Sequence, residues 1–261
     1  MTPTVPGLQT RTYANAYLGP QRIRRLLRFD IRYRRYRMHE ALGELGVNLS
    51  SKSVLDFGFG SGDLLASFPH DCAIHGAEIS TSALESALRD PRFRAYAESR
   101  FSRVYEEAPE SLPSGPFDII VASHVLEHVT DDRAWVRALG NRLRPGGLLV
   151  VFLPVEEPGY NPDHARVYDV GASVELLDRA GLRVVYAEGG LHLNGHIWKV
   201  LSYPSRRRWP VLGDVVNTLR LACQALIPYP ATRHIERLAA SLGCGPRQAF
   251  VIGKRVASAT L

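Results

Sequence analysis

The stretch Ser53-Val54-Leu55-Asp56-Phe57-Gly58-Phe59-Gly60-Ser61-Gly62-Asp63 narrows the choice of fold more than any other part of this chain. A short apolar run ends in an acid and three alternating glycines, and Leu64-Leu65 opens a further apolar segment. The pattern predicts a buried strand, a tight turn and the start of a helix. Glycines at 58, 60 and 62 admit positive φ and carry no Cβ, so a ligand can lie directly on the backbone. The same turn without a ligand is the simpler reading. The spacing departs from the dinucleotide fingerprint G-x-G-x-x-G, because the third residue after Gly60 is Asp63 and a glycine comes one place early.

The chain around this turn alternates strands and helices. Ala73-Ile74-His75-Gly76-Ala77-Glu78 reads as a second strand, ending in an acid about one βαβ step after Asp56. A carboxylate there can accept hydrogen bonds from both ribose hydroxyls of a nucleoside, at the carboxyl end of the sheet. The alternative is a surface acid. Ser82 to Glu85 has the form of a capping box. A third strand is expected around 103–106, and a strong fourth over 117–122. Thr130 or Asp131 should cap a helix that presents Val136, Leu139 and Leu143 on one face. Residues 148–153 are a fully apolar fifth strand, 182–187 a sixth, and 248–254 the last. About 60 residues, 189–247, separate the last two. That length must carry its own structure, and apolar residues at helical spacing predict two helices there.

Four segments in order resemble one family. D-x-G-x-G-x-G at 56–62 resembles the first motif of class I S-adenosylmethionine (SAM)-dependent methyltransferases. Glu110-Ser111-Leu112-Pro113 is similar to the turn before their fourth strand. FDIIVASHVLEHV at 117–129 is close to their fourth motif, and LRPGGLLVVFLP at 143–154 is similar to their fifth strand and its approach. The resemblance covers about residues 54–188. It implies an α/β, Rossmann-like sheet of seven strands, mostly parallel with an antiparallel last strand. To this the chain adds an N-terminal helix and a helical insert. The expected divisions are an arm and basic helix (1–47), a SAM-binding core (48–190), an insert (191–247) and a final strand and tail (248–261).

The resemblance also implies SAM as cofactor. Asp56, Gly58, Gly60, Gly62 and Glu78, with Ile79 beside it, are the expected cofactor residues. The backbone at Ser123 and His124 should line the methionine half, because ligands sit outside the carboxyl ends of the strands. A hydroxyl acceptor also needs a base, and histidine titrates nearest neutrality. His124, His128, His164 and either His192 or His196 are the candidates. The segment from Asn161 resembles one in which a His-x-Arg opens onto the active-site mouth, so His164 is the first candidate base. His128 belongs to the fourth motif and would orient the loop.

His124-Val125-Leu126-Glu127-His128 also has the H-x-x-E-H form of an inverted zinc-protease motif. It directly follows a strand here, which argues against that role. Some ubiquinone-type O-methyltransferases carry a glutamate where His124 stands and are thought to use a divalent ion. By that resemblance His124, Glu127 and His128, with His164, would form an oxygen–nitrogen metal site. The histidine at 124 departs from the pattern.

The formal net charge is +6. Arginines crowd an expected helix over 21–41. They read either as a solvated face or as an attraction for an anionic partner. Cys72, Cys223 and Cys244 have neither C-x-x-C spacing nor an even count, which points to a reducing cytoplasm. The first twenty residues lack a signal-peptide core, and no apolar run approaches a spanning helix. Tyr13 and Tyr17 lie in an expected N-terminal arm. In the insert, Arg206-Arg207-Arg208-Trp209 precedes an apolar stripe from Val211 to Ile227. Three coverings for that stripe stay open: the protein's own core as a lid over the acceptor cleft, a second copy in a homodimer, or a peripheral membrane contact.

The leading expectation is O-methyl transfer to a small-molecule or carbohydrate acceptor, in biosynthesis. The rivals are N-methyl transfer, RNA or DNA methylation and a non-enzymatic SAM-binding protein. Nucleic acid is disfavoured by the want of a recognised binding module or a base-flipping turn after the fourth strand.

Overall fold

The computed structural model describes residues 29–159, 161, 163–197 and 210–256. Tyr13 and Tyr17, the first part of the arginine-rich helix and the Arg206-Arg207-Arg208-Trp209 cluster lie outside the described residues. The strands are β1 (Ser53–Phe57), β2 (Ala73–Glu78), β3 (Glu98–Arg103), β4 (Phe117–Ser123), β5 (Leu143–Pro154), β6 (Leu182–Gly190) and β7 (Gln248–Arg255). They form one sheet in the order β3-β2-β1-β4-β5-β7-β6. The first five are parallel, and β7 runs antiparallel between β5 and β6. This is the expected sheet.

Strands buried on both faces read as continuous apolar runs. In β5, Leu149, Val151 and Leu153 enter one core, while Leu148, Val150 and Phe152 enter the other. Each fully buried aliphatic side chain of this kind contributes about 1.5–3 kcal/mol. Helices α1 (Phe29–Glu44) and α2 (Thr81–Arg89) close one face with Met38, Leu42 and Ala83. Helices α3 (Asp132–Arg142) and α4 (Val170–Arg179) close the other with Trp135, Leu139 and Leu177.

Three local expectations are corrected. The glycine turn is not followed by an α-helix but by a single 3₁₀ turn, Leu65–Ser67. Phe68 is extended, with ψ 158°, as a residue before proline prefers to be, and Pro69 stops propagation. The third strand is Glu98–Arg103, earlier than 103–106. It is an edge strand with mostly exposed side chains, so it carries little apolar signal. The cap of α2 is Ser80, whose Oγ accepts from Ala83 N at 3.4 Å, rather than Ser82. Asp131 is the cap of α3, accepting from Ala134 N at 2.9 Å.

Two arginines of α1 are not solvated. Arg34 and Arg37 are buried. Arg37 pairs with Glu40 and with Glu188 of β6, and donates to Tyr186 Oη. The insert joins the same network. Among the described residues it comprises α5 (His192–Ile197), α6 (Pro210–Leu226) and α7 (Tyr229–Ser241). Arg233 Nη1 lies 2.6 Å from Glu188 Oε1. Glu236, fully buried, accepts from Leu193 N at 3.1 Å and Asn194 N at 3.0 Å. It thereby satisfies amide donors that the start of α5 leaves without intrahelical partners. Leu221 of α6 packs with Phe29 and Tyr33 of α1 and with Leu191.

Candidate active site

The turn after β1 and the ends of β2 and β4 enclose a cavity of about 300 Å³. Gly58, Glu78, Ile79, His124, Val125 and His128 line it, with Trp135 at its side. Gly58, Gly60 and Gly62 all take positive φ (70°, 54° and 69°). At two of them the missing Cβ makes room for the protein itself. A Cβ at 58 would stand 2.7 Å from Val125 Cγ2, and one at 62 would stand 2.6 Å from Phe93 Cζ. The turn is therefore held tight against Val125, just beyond β4, and against the segment following α2.

Glu78 crosses from β2 to this turn. Its Oε2 accepts from Gly60 N at 2.9 Å; its Oε1 accepts from Ile79 N at 2.8 Å and Ser80 N at 3.1 Å. Burial raises its pKa, against the pull of these three amide donors. Asp56, at the end of β1, is 1% exposed, and neither carboxylate oxygen has a hydrogen-bond partner among the described residues. Burial, reinforced by the nearby Glu78 charge, pushes its pKa up to about 8. An unpartnered buried carboxyl is costly unless something completes it, and a cationic ligand group would do so.

The sequence reading missed Arg34. From α1 its Nη1 donates to Ser123 Oγ at 2.6 Å, and Asp30 Oδ2 holds Nη2 at 3.0 Å. Its charge also acts on Asp56 and Glu127. The one available sign was an arginine-rich helix preceding β1, and which arginine turns inward is a matter of packing.

Beyond β4 four titratable side chains gather. His124 has φ 55°, an uncommon backbone state for a non-glycine residue. Its Nδ1 lies 3.4 Å from Glu127 Oε1, and its Nε2 meets Gln248 Nε2 at 2.9 Å. Glu127 is 1% exposed, and among the described residues its oxygens take no hydrogen bond, only the ion-pair contact with His124. Burial raises its pKa to about 7. His128 Nδ1 faces Asp163 O at 3.1 Å; a carbonyl only accepts, so Nδ1 carries the proton and Nε2 the lone pair. Burial lowers the pKa of His128. Its ring stands edge-on to His164, with centroids 4.8 Å apart.

His164 Nδ1 is 2.9 Å from Glu156 Oε2, and its Nε2 is 2.8 Å from Asn161 Nδ2. Burial alone would lower its pKa, but the hydrogen bond and charge of Glu156, with Glu127 and Asp163 behind them, raise it. Arg166 fixes the segment by binding Asp132 and donating to Thr130 O at 2.6 Å.

Glu127, His128 and His164 bring ligand atoms within 4.8 Å of one another. Of the four residues expected there, His124, Glu127, His128 and His164, the last three come together and His124 stands outside the group. His124 instead spans Glu127 and Gln248. Ser123, whose backbone was expected at the methionine half, accepts at its Oγ from Arg34 Nη1. A larger groove of about 600 Å³ lies beyond Thr130, but its Arg166–Asp132 and Arg179–Glu175 pairs satisfy one another.

A mostly parallel sheet with a glycine turn after β1, an acid ending β2 and a cavity at the strands' carboxyl ends defines a nucleoside-binding Rossmann-like protein. The chain belongs to the class I SAM-dependent methyltransferase family: the model of the "Methyltransferase domain" family matches residues 31–187. A probable SAM-dependent methyltransferase of Mycolicibacterium smegmatis is 27% identical over 60% of this chain and 62% of its own length. A ubiquinone biosynthesis O-methyltransferase of Psychrobacter arcticus is 32% identical over 54% of each chain. A ubiquinone/menaquinone biosynthesis C-methyltransferase of Vibrio vulnificus is 34% identical over 49% of this chain and 50% of its own. The chain thus spans between 50% and 62% of the length of these relatives. In fold it is similar to a putative sarcosine dimethylglycine methyltransferase from Galdieria sulphuraria (TM-score 0.58, 13% identity, 85% of each chain covered). Among the described residues no helix is long and apolar enough to cross a membrane.

Asp56 gives a test of this cavity that needs no ligand. Its pKa is about 8 in the folded protein against 3.8 ordinarily. Between those values the folded state holds a proton that the unfolded chain has released. Stability should therefore fall as pH rises, by up to about 1.4 kcal/mol per unit. Below the ordinary value the contribution is fully present, and by the folded pKa it is lost. Urea unfolding of the wild type and Asp56→Asn across this range checks it. The asparagine variant should show the shallower decline, and parallel curves would refute the assignment.

Proposed function

We propose that this protein transfers a methyl group from SAM to a hydroxyl of a small molecule, with His164 as the base. The observation that carries the reading is the placement of two buried carboxyls, Asp56 and Glu127, that take no hydrogen bond among the described residues, beside the cavity. Bound SAM supplies a methyl on a sulfonium whose leaving group is a neutral thioether. Glu78, anchored by three amides, would accept the ribose hydroxyls. Asp56 would meet the amino-acid ammonium, giving up its proton as it does so, and Arg34 would meet the carboxylate. The turn at Gly58 would hold the cofactor rigidly enough for in-line attack, a positional requirement.

Glu156 orients His164 through Nδ1, which leaves Nε2 as the proton acceptor, the arrangement of an oriented base. An acceptor hydroxyl would replace the Asn161 amide there. The relatives' names cover both O- and C-methyl transfer; the gathering of Glu127, His128, His164 and Glu156 favours an acceptor that must lose a proton. A small hydroxylated ring or a sugar fits this requirement equally. Calorimetry with SAM, followed by transfer of labelled methyl to phenols, sugars and amines, tests the reading. SAM binding with label only on amines would defeat the hydroxyl assignment, and no SAM binding would defeat the whole.

A second reading rests on the same trio. Glu127, His128 and His164 offer one oxygen and two nitrogens within 4.8 Å, and the buried Glu127 carboxylate suits a divalent cation. The ion would polarise an acceptor oxygen. Chelation should then lower turnover at least tenfold, roughly the cost of disturbing a ligand shell, with recovery on adding Mg²⁺, Mn²⁺ or Zn²⁺. Undiminished turnover would dismiss the ion.

A further inference from the structure

We propose that Arg92 is a positioning residue for SAM: from outside the cavity it braces the glycine turn in the shape that receives the cofactor. The inference rests on the reading that SAM lies on that turn and is indifferent to the acceptor. Of the turn, Gly58 lines the cavity, whereas Phe59, Ser61 and Asp63 do not, and nor does Arg92. These three intervening residues are each held by groups outside the cavity. The Phe59 ring occupies the space left by Gly76 of β2, where a Cβ would stand 2.6 Å from its Cδ1. It stands edge-on to Phe101 of β3, with centroids 5.4 Å apart. Ser61 and Asp63 are held by Arg92. Its Nη2 donates to Ser61 O at 3.0 Å and its Nη1 to Asp63 Oδ1 at 2.6 Å. Ser61 Oγ closes the ring by donating to Asp63 Oδ2 at 2.7 Å.

The guanidinium is itself built into place. Just after α2, Asp90 caps a 3₁₀ turn, Pro91–Ala95. Asp90 Oδ1 accepts from Arg92 N at 3.0 Å, and Asp90 Oδ2 accepts from Arg92 Nε at 3.1 Å and Nη2 at 2.9 Å. The next residue, Phe93, is 3% exposed and fills the space of Gly62. A planar fork can rest one edge on Asp90 and reach two acceptors of the turn with its remaining donors, which the point charge of a lysine cannot do. The brace matters because glycine loses more conformational freedom on ordering than any other residue. A turn with three glycines must be ordered beforehand, or ligand binding bears that cost. Glu78 orders it at Gly60 N; Arg92 orders it one and three residues later.

The test is SAM calorimetry, with hydrogen exchange of the ligand-free protein read by mass spectrometry and circular dichroism as a control on folding. The variants are Arg92→Met, Arg92→Lys, Asp63→Asn and the double variant Arg92→Met/Asp63→Asn. Arg94→Gln, exposed on the same 3₁₀ turn, controls for loss of charge, and Glu78→Ala is run beside them. Arg92→Met is expected to weaken SAM binding by about tenfold or more, the order set by a lost charge-assisted hydrogen bond. Arg92→Lys should recover part of that loss, and Arg94→Gln should match the wild type. The double variant should lose less than the sum of its parts, because both substitutions break one contact. Without SAM, exchange in Arg92→Met should quicken over residues 58–63 and slow again at saturating SAM. Unchanged affinity in Arg92→Met beside a weakened Glu78→Ala would overturn the brace alone. Unchanged affinity in both would overturn the placement of SAM on the turn, and the brace with it. Quickened exchange across the whole sheet rather than at the turn would also overturn the proposal, because Arg92 would then be a general stabiliser.

Discussion

His164→Ala is expected to keep its affinity for SAM and lose roughly 10²–10⁴-fold in turnover of a hydroxyl acceptor, the usual contribution of a positioned base. The side chain is packed against His128 rather than against the glycine turn, so cofactor binding should not register its loss. Full activity in this variant would remove His164 from the reaction. Glu156→Gln gives an independent reading. Glu156 raises the His164 pKa through its hydrogen bond and its charge. Neutralising it lowers that pKa, and the rising limb of the pH–rate profile should move to lower pH. A merely structural role would reduce activity without moving the limb.

The second large effect is expected at Glu78. Glu78→Ala should weaken SAM binding by about 1–3 kcal/mol, the range for hydrogen bonds to a charged group. The structure adds a cost on the protein side. The substitution leaves the amides of Gly60, Ile79 and Ser80 without their acceptor, so the turn itself should loosen. Glu78→Gln retains an oxygen and the shape of the side chain, and should fall between wild type and alanine in both affinity and melting temperature. Unchanged affinity in Glu78→Ala would place the ribose elsewhere.

The sheet was legible in the sequence because strands buried on both faces must be continuous apolar runs. Residues 148–153 and 248–254 show this plainly, and the exposed edge strand β3, without that constraint, was misplaced. The turn at 56–62 was legible too, because positive φ at alternate residues almost requires glycine. Local composition also announced a helical insert between β6 and β7.

Packing decided the rest. Arg34 reaches Ser123 across 89 positions, and His124 meets Gln248 across 124. Neither contact leaves a periodic trace in the chain. Glu156 shows no local sign of a partner, and only the loop clamped by Arg166 to Asp132 and Thr130 carries His164 to it. The stripe on α6 was readable as apolar, but its direction was not. Helical periodicity states which residues share a face, while the buried anchors Leu221, Gln224 and Glu236 determine which face meets the protein and which meets the solvent.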